Sequence, residues 1–245
     1  MKKFFYDATK KNADIYWCLN NAIKCIIATK TSSSIGRIVI ISPVKSTCAL
    51  VSDYLLSHGY GNTHGAYQLL GDTTNIVLES QRTYYNFRTD AVIYFLLDSK
   101  EIFSIEENHS FAVEFAITDN NNISLWYGTW GAHEMISNTT AQLLMPPSKV
   151  QSACDQITGA CNITHTITFH PSDEELVKRI LRTLVKFENP PVKTEEIFAY
   201  TIRECGWTLG LSNKLVQWLE NLNTGKAIKG GKITATKMKE MYAKW

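Results

Sequence analysis

Apolar residues recur at Ile15, Leu19, Ala22, Ile23 and Ile26, the 3.6-residue period that predicts a helix over 13–28. The next apolar run is of another kind. Residues 37–41 are short, continuous and β-branched, between the serine-rich loop 31–34 and the break at Ser42-Pro43, as in a strand buried on both faces. Ser46 or Thr47 then caps a helix to about Ser57 with Val51, Tyr54 and Leu55 inward, completing a strand–turn–helix unit. Residues 58–72 read as Gly-rich loop, and His58 and His64 as solvated loop histidines. Residues 76–85, 91–97, 111–117 and 123–127 read as strands. Phe111, Val113, Phe115 and Ile117 alternate on one face, and Asp119-Asn120-Asn121-Asn122 is turn chemistry, so the last two strands are expected to pair as a hairpin. That pairing makes the sheet mixed. Pro146-Pro147 punctuates the region, and 162–169 is a further strand candidate.

From Ser172 the period returns to 3.6. Ser172-Asp173-Glu174-Glu175 reads as a capping box ahead of Leu176, Val177, Ile180, Leu181 and Leu184, and Asn189-Pro190-Pro191 stops that helix. Thr194 is the expected cap of a second helix burying Ile197, Phe198, Thr201, Ile202 and Cys205. Ser212 is the expected cap of a third, burying Leu211, Leu215, Trp218, Leu219 and Leu222. Residues 227–233, centred on Gly230-Gly231, predict a two-strand hairpin, and a last short helix carries Met238, Met241, Tyr242 and Trp245. The fold class is therefore α/β (α+β): a mixed sheet with flanking helices over 1–170, and a small helical domain over 171–245.

Composition adds little until charge is mapped along the chain. The 245 residues carry a net charge of only +2. Residues 1–30, however, hold six lysines against two aspartates, and 206–245 hold seven lysines against two glutamates, so the body between them is acidic. A basic end on an acidic body marks a candidate phosphate-binding surface. No run approaches the roughly 18 apolar residues of a membrane span, and the polar residues after Lys2 and Lys3 do not fit a signal peptide. A soluble, cytoplasmic protein is expected, with its six cysteines reduced.

Three helices followed by a Gly-turned basic segment resemble a winged helix over about 172–245. The resemblance rests on element order and on the run from Trp218-Leu219-Glu220-Asn221-Leu222 to Gly230-Gly231. It implies a nucleic-acid partner, DNA in the first instance. Asn213, Lys214, Gln217 and Asn221 would lie on the exposed face of the third helix, and Lys226, Lys229 and Lys232 would form the wing. The third helix has one basic residue, Lys214, and 206–245 contain no arginine. A docking role is the alternative, in which the Met238, Met241, Tyr242 and Trp245 face of the terminal helix packs on a protein partner or a second copy.

Three motifs raise chemistry. Arg88-Thr89-Asp90 before a strand, and Glu114 on the next, resemble a PD-(D/E)XK nuclease core over 76–117. The resemblance implies Asp90 and Glu114 holding Mg2+ to activate water, with Glu79 contributing. Thr89 stands where that pattern has proline, and Ala116 where it has lysine. Cys154, Cys161, His165 and His170 are four zinc-binding residue types, spaced more widely than the compact pairs of structural zinc sites. Ser42-Pro43-Val44-Lys45-Ser46-Thr47 ends like a P-loop without its glycines, which leaves at most an anion site at a helix N-terminus.

Overall fold

A computed structural model describes residues 2–29, 35–84, 91–161, 163 and 168–245. The chain divides into two compact units, Met1–Gln142 and Leu143–Trp245. The first is α/β and the second is helical.

Among the described residues, the first unit is built on a nine-stranded mixed sheet. Its centre is parallel: β5 (Asn75–Ser80), β2 (Arg37–Ser42), β6 (Ala91–Phe95), β7 (Val113–Thr118), β1 (Lys2–Asp7) and β8 (His133–Glu134), in that spatial order. β2, β6 and β7 are buried almost throughout, which is why they read as continuous apolar runs. One face is covered by α1 (Ile15–Thr29) and α2 (Lys45–Ser57). Leu19, Ile23, Ile26, Val51 and Leu55 there meet Ile38, Ile40, Ile93, Phe95 and Phe115. The other face carries α3 (Ser99–Glu106) and α4 (Ser124–Trp130). Trp126 packs edge-on to Tyr94 at 6.1 Å, and Tyr127 stacks on Phe5 at 4.5 Å.

The sheet is mixed as expected, but for a different reason. Residues 123–127 are not a strand: Ile123 is the N-cap of α4 and 124–127 lie in it, and 111–127 form no hairpin. β7 pairs in parallel with both β6 and β1, and parallel neighbours need a crossover. The Asn-rich turn closes on itself instead, Asn122 N–H donating to Asn120 Oδ1 at 2.8 Å, and feeds α4, which carries the chain from β7 past β1 to β8. The antiparallel pairs lie at the edges. β3 (Tyr60–Thr63) and β4 (Ala66–Leu69) form a hairpin inside the expected 58–72 loop, and β9 (Thr139–Thr140) pairs with β8. His64 and Gly65, with φ of 53° and 82°, are the two positive-φ residues that a two-residue hairpin turn needs. β1 went unrecognised because two lysines open it.

The second unit is built from α5 (Ser148–Ala160), α6 (Pro171–Phe187), α7 (Thr194–Arg203), α8 (Leu209–Asn223) and α9 (Ala235–Tyr242). The expected domain boundary at 170 falls inside it. Val150, Ala153, Cys154 and Ile157 of α5 share one core with Ile180, Leu181, Leu215 and Leu219. Residues 162 and 164–167, most of the expected 162–169 strand, lie outside the described residues. The caps also differ. His170 is the N-cap of α6 and accepts from Ser172 N–H, with Pro171 in the first turn, so Ser172 opens no capping box. Lys193, not Thr194, is the N-cap of α7. Thr208, not Ser212, caps α8 by accepting from Leu211 N–H at 3.3 Å. Ser212 is buried and bonded to Thr201 Oγ1 at 3.0 Å.

Candidate nucleic-acid interface

Residues 227–233 form an irregular loop, not the expected strand pair. A hairpin would satisfy its backbone across the turn, whereas this loop is satisfied by α6. The Arg182 guanidinium donates to the Ile228 carbonyl at 2.8 Å and the Gly230 carbonyl at 3.1 Å. Gly231 N–H donates to Glu175 Oε2 at 2.8 Å. Two glycines are needed for this approach. Gly230 and Gly231 have φ of 88° and 65°, and a Cβ on Gly231 would collide with Lys178 Cβ and stand 2.9 Å from its backbone carbon. Ile228 is the loop's apolar anchor in the core.

With its backbone tied inward, the loop turns its lysines out: Lys226, Lys229 and Lys232 are all exposed. α9 follows directly, capped by Thr234. Lys237, Met241 and Lys244 recur at helical spacing and share one side. Together with Arg179 of α6 and Lys232 they line an open groove of about 1000 Å3, whose other residues include Gln156 and Asp155 of α5, Glu240 and Trp245. Within the described residues, Arg179, Lys232, Lys237 and Lys244 enter no ion pair. Trp245 Nε1–H donates to Gln156 Oε1 at 2.7 Å, and the ring meets Tyr242 edge-on at 6.0 Å. Asp155 Oδ1 accepts from Tyr200 OH at 3.0 Å.

The third-helix residues are divided. Asn213 and Gln217 are exposed on α8. Lys214 is half-buried, with its ammonium 5.4 Å from the Trp218 ring centroid, and Lys178 lies over the same ring at 4.6 Å. Asn221 is half-buried at the helix end, its carbonyl accepting from Lys226 N–H at 2.7 Å. Of the expected wing residues, Lys232 alone lines the groove. Arg179, Lys237 and Lys244 are not among the residues the sequence marks for binding, and Trp245 is marked there only for a protein-docking face. The seven-residue spacing of Lys237 and Lys244, two helical turns, was the available signal. The Met238, Met241, Tyr242 and Trp245 face expected to meet a partner packs largely within its own unit. Tyr242 stacks on Phe187 at 5.0 Å and its hydroxyl donates to Glu188 at 2.8 Å, while Met241 joins the core.

The other candidate residues stand elsewhere. Asp90 lies outside the described residues. Glu114 is fully buried, with Lys3 Nζ at 2.7 Å from Oε1 and Tyr94 OH donating to Oε2 at 2.9 Å. Lys3 also meets Glu106 at 2.6 Å, and Glu106 accepts from Trp126 and Trp130 Nε1–H. Burial, followed by the neighbouring Glu106, pushes the Glu114 carboxyl up to about 8 against the opposing pull of Lys3. Glu79 accepts from Thr83 Oγ1 at 2.9 Å. Cys154 and Cys161 are buried and two turns of α5 apart, about 10 Å along the axis. Burial pushes the Cys161 thiol up to about 11 and raises Cys154 further. His165 lies outside the described residues, and His170 Nδ1 is 2.7 Å from Ser172 Oγ. Among the described residues no group of three His, Cys, Asp or Glu is placed to hold a metal ion. His58 stacks on Tyr54 at 4.0 Å and its Nδ1 is 2.9 Å from the Tyr54 carbonyl. No helix, among the described residues, is long and apolar enough to cross a membrane.

The family described as a domain of unknown function (DUF1889) is similar to this chain over residues 147–245, a span that begins at α5 and takes in the groove. No curated protein and no solved structure matches the chain.

Proposed function

We propose that the second unit binds nucleic acid through phosphate contacts from the lysine-rich loop 226–234 and the adjoining groove. The observation that carries this reading is convergence. Arg179, Lys232, Lys237 and Lys244 line one concave surface, and Lys226 and Lys229 stand exposed on the loop that leads to it. Cations that have no carboxylate partner among the described residues, on α6, on α9 and on a loop tied down by Arg182 and Glu175, are free to meet a polyanion, and phosphate contacts supply most of non-specific affinity. Asn213 and Gln217, exposed on α8, give the winged-helix-like reading its place here as secondary phosphate or base contacts.

The test is the salt dependence of oligonucleotide binding by the whole chain. The logarithm of the binding constant should fall steeply with the logarithm of salt concentration. Replacing Lys226, Lys229 and Lys232 together by Ala should lower that slope by about one per lysine that holds a phosphate. Binding that ignores salt, or a slope untouched by the triple substitution, would overturn the reading.

A further inference from the structure

We infer that the groove takes single-stranded nucleic acid, with bases turned into it, in preference to duplex. The inference rests on the reading above and concerns which nucleic acid that surface selects. It follows from shape and from the groove's mixed chemistry.

The groove's cations, Arg179, Lys232, Lys237 and Lys244, lie in a concavity between α5, α6 and α9, not on a protruding helix or hairpin. Duplex is read by elements that project into its grooves to its base edges, and its base faces stay inside the stack. An extended strand, by contrast, can lie along a basic furrow and splay its bases against the walls. The groove supplies such a wall. Trp245 lines it, fixed through its Nε1 edge by Gln156 and braced by Tyr242, and Met241 adds apolar surface. An indole held in one orientation is a stacking platform that works for any base.

The groove also holds two carboxylates, Asp155 and Glu240. In a site for phosphate alone they would be a liability, since like charges repel. Toward bases they are useful: carboxylates accept from the exocyclic amine of cytosine, as lysines hold the backbone. A ligand that brings anionic phosphate and donor-bearing base edges together complements both kinds of charged group in the groove, and single-stranded nucleic acid is such a ligand.

The experiment compares the whole chain's affinity, by fluorescence anisotropy at one salt concentration, for a labelled oligodeoxycytidine, a duplex of the same length and polyglutamate. Single strand should bind at least about tenfold tighter than duplex. Trp245→Ala should weaken single-strand binding about tenfold or more, with duplex binding little changed and Trp245→Phe retaining most of the affinity. Glu240→Ala should tighten duplex binding without tightening single-strand binding to the same degree. Circular dichroism of each variant checks the fold, and retention by Trp245→Phe keeps the stacking claim testable if the alanine variant unfolds. Equal or tighter duplex binding, salt-dependent and sensitive to the lysine triple substitution, would overturn this inference and leave the proposed function standing. Failure to bind either nucleic acid, or polyglutamate binding as tightly as the oligonucleotide, would overturn both.

Discussion

Glu114 shows how one residue decides what its neighbours must be. Its position between small Ala112 and Ala116, facing away from Val113 and Phe115, marks it in the sequence as paired or beside a cavity. Only the structure shows that the partner is Lys3, 111 residues away in sequence. Lys3 serves two carboxylates in a site closed by Tyr94, Trp126 and Trp130. With both acids ionised the cluster is one negative charge in excess, so taking up one proton neutralises it. Burial, which penalises the charged form, and then this excess of negative charge from Glu106 raise the Glu114 carboxyl. A carboxyl whose folded value lies above its unfolded value contributes stability that is whole below about 4.5 and is lost as pH rises toward about 8. We expect the first unit to unfold at lower urea as pH rises through that window, and Glu114→Gln to flatten the dependence. A pH series of urea melts followed by tryptophan fluorescence checks both. Lys3→Met leaves two buried acids without their cation and should cost about 3–5 kcal/mol in the same melts.

At the scale of elements, the loop between α8 and α9 is a case of tertiary contacts overriding a local pattern. A Gly-Gly pair between short β-formers predicts a hairpin. Here the carbonyls of Ile228 and Gly230 are taken by Arg182, and Gly231 N–H by Glu175. Glu175 is the same residue that read as the closing member of a capping box, and its carboxylate is spent on the loop. Arg182→Ala should cost about 2 kcal/mol through loss of charge-assisted hydrogen bonds to buried carbonyls, seen as a lower midpoint in thermal unfolding. Gly231→Ala should cost at least about 1–2 kcal/mol from its left-handed backbone alone, before the collision with Lys178 is counted. Both should weaken oligonucleotide binding by releasing the loop. Helix starts make the same point. Thr208→Ala should cost about 1 kcal/mol as the loss of an N-cap. Ser212→Ala should act instead through the buried bond to Thr201. Hydrogen exchange at the first turn of α8 distinguishes the two, since only the cap variant should speed it.

Across the whole molecule, each unit has its own core and its own tryptophans, and the two carry different business. The first holds a buried ion-pair cluster under its sheet, and the second gathers Arg179, Lys232, Lys237 and Lys244 around one groove. A ligand that binds the folded second unit stabilises it by mass action, by about 2.7 kcal/mol at a hundredfold excess over its dissociation constant. Saturating oligonucleotide should therefore raise the unfolding midpoint of residues 143–245, read by amide exchange in Leu211, Leu215 and Leu219. No shift at saturation would mean that the ligand does not select the folded unit.

Sequence alone determined the elements whose own residues specify them. The buried runs 38–41 and 91–95 are continuously apolar, and α1, α6 and α8 carry stripes that only a helix can bury on one side. It also located the excess of lysines at the chain's end. Tertiary structure decided everything that depends on distant partners. It set 113–118 into parallel pairing, which forced 124–130 into a helix, and it placed Lys3 beside Glu114 and Glu106. It denied 227–233 a strand partner by supplying Arg182 and Glu175, and it gathered Arg179, Lys232, Lys237 and Lys244 around one groove. Periodicity reports which side of an element is buried, but not what it is buried against. The identity of that neighbour decides whether a carboxylate is paired, a loop is a hairpin, or a lysine is free to meet a ligand.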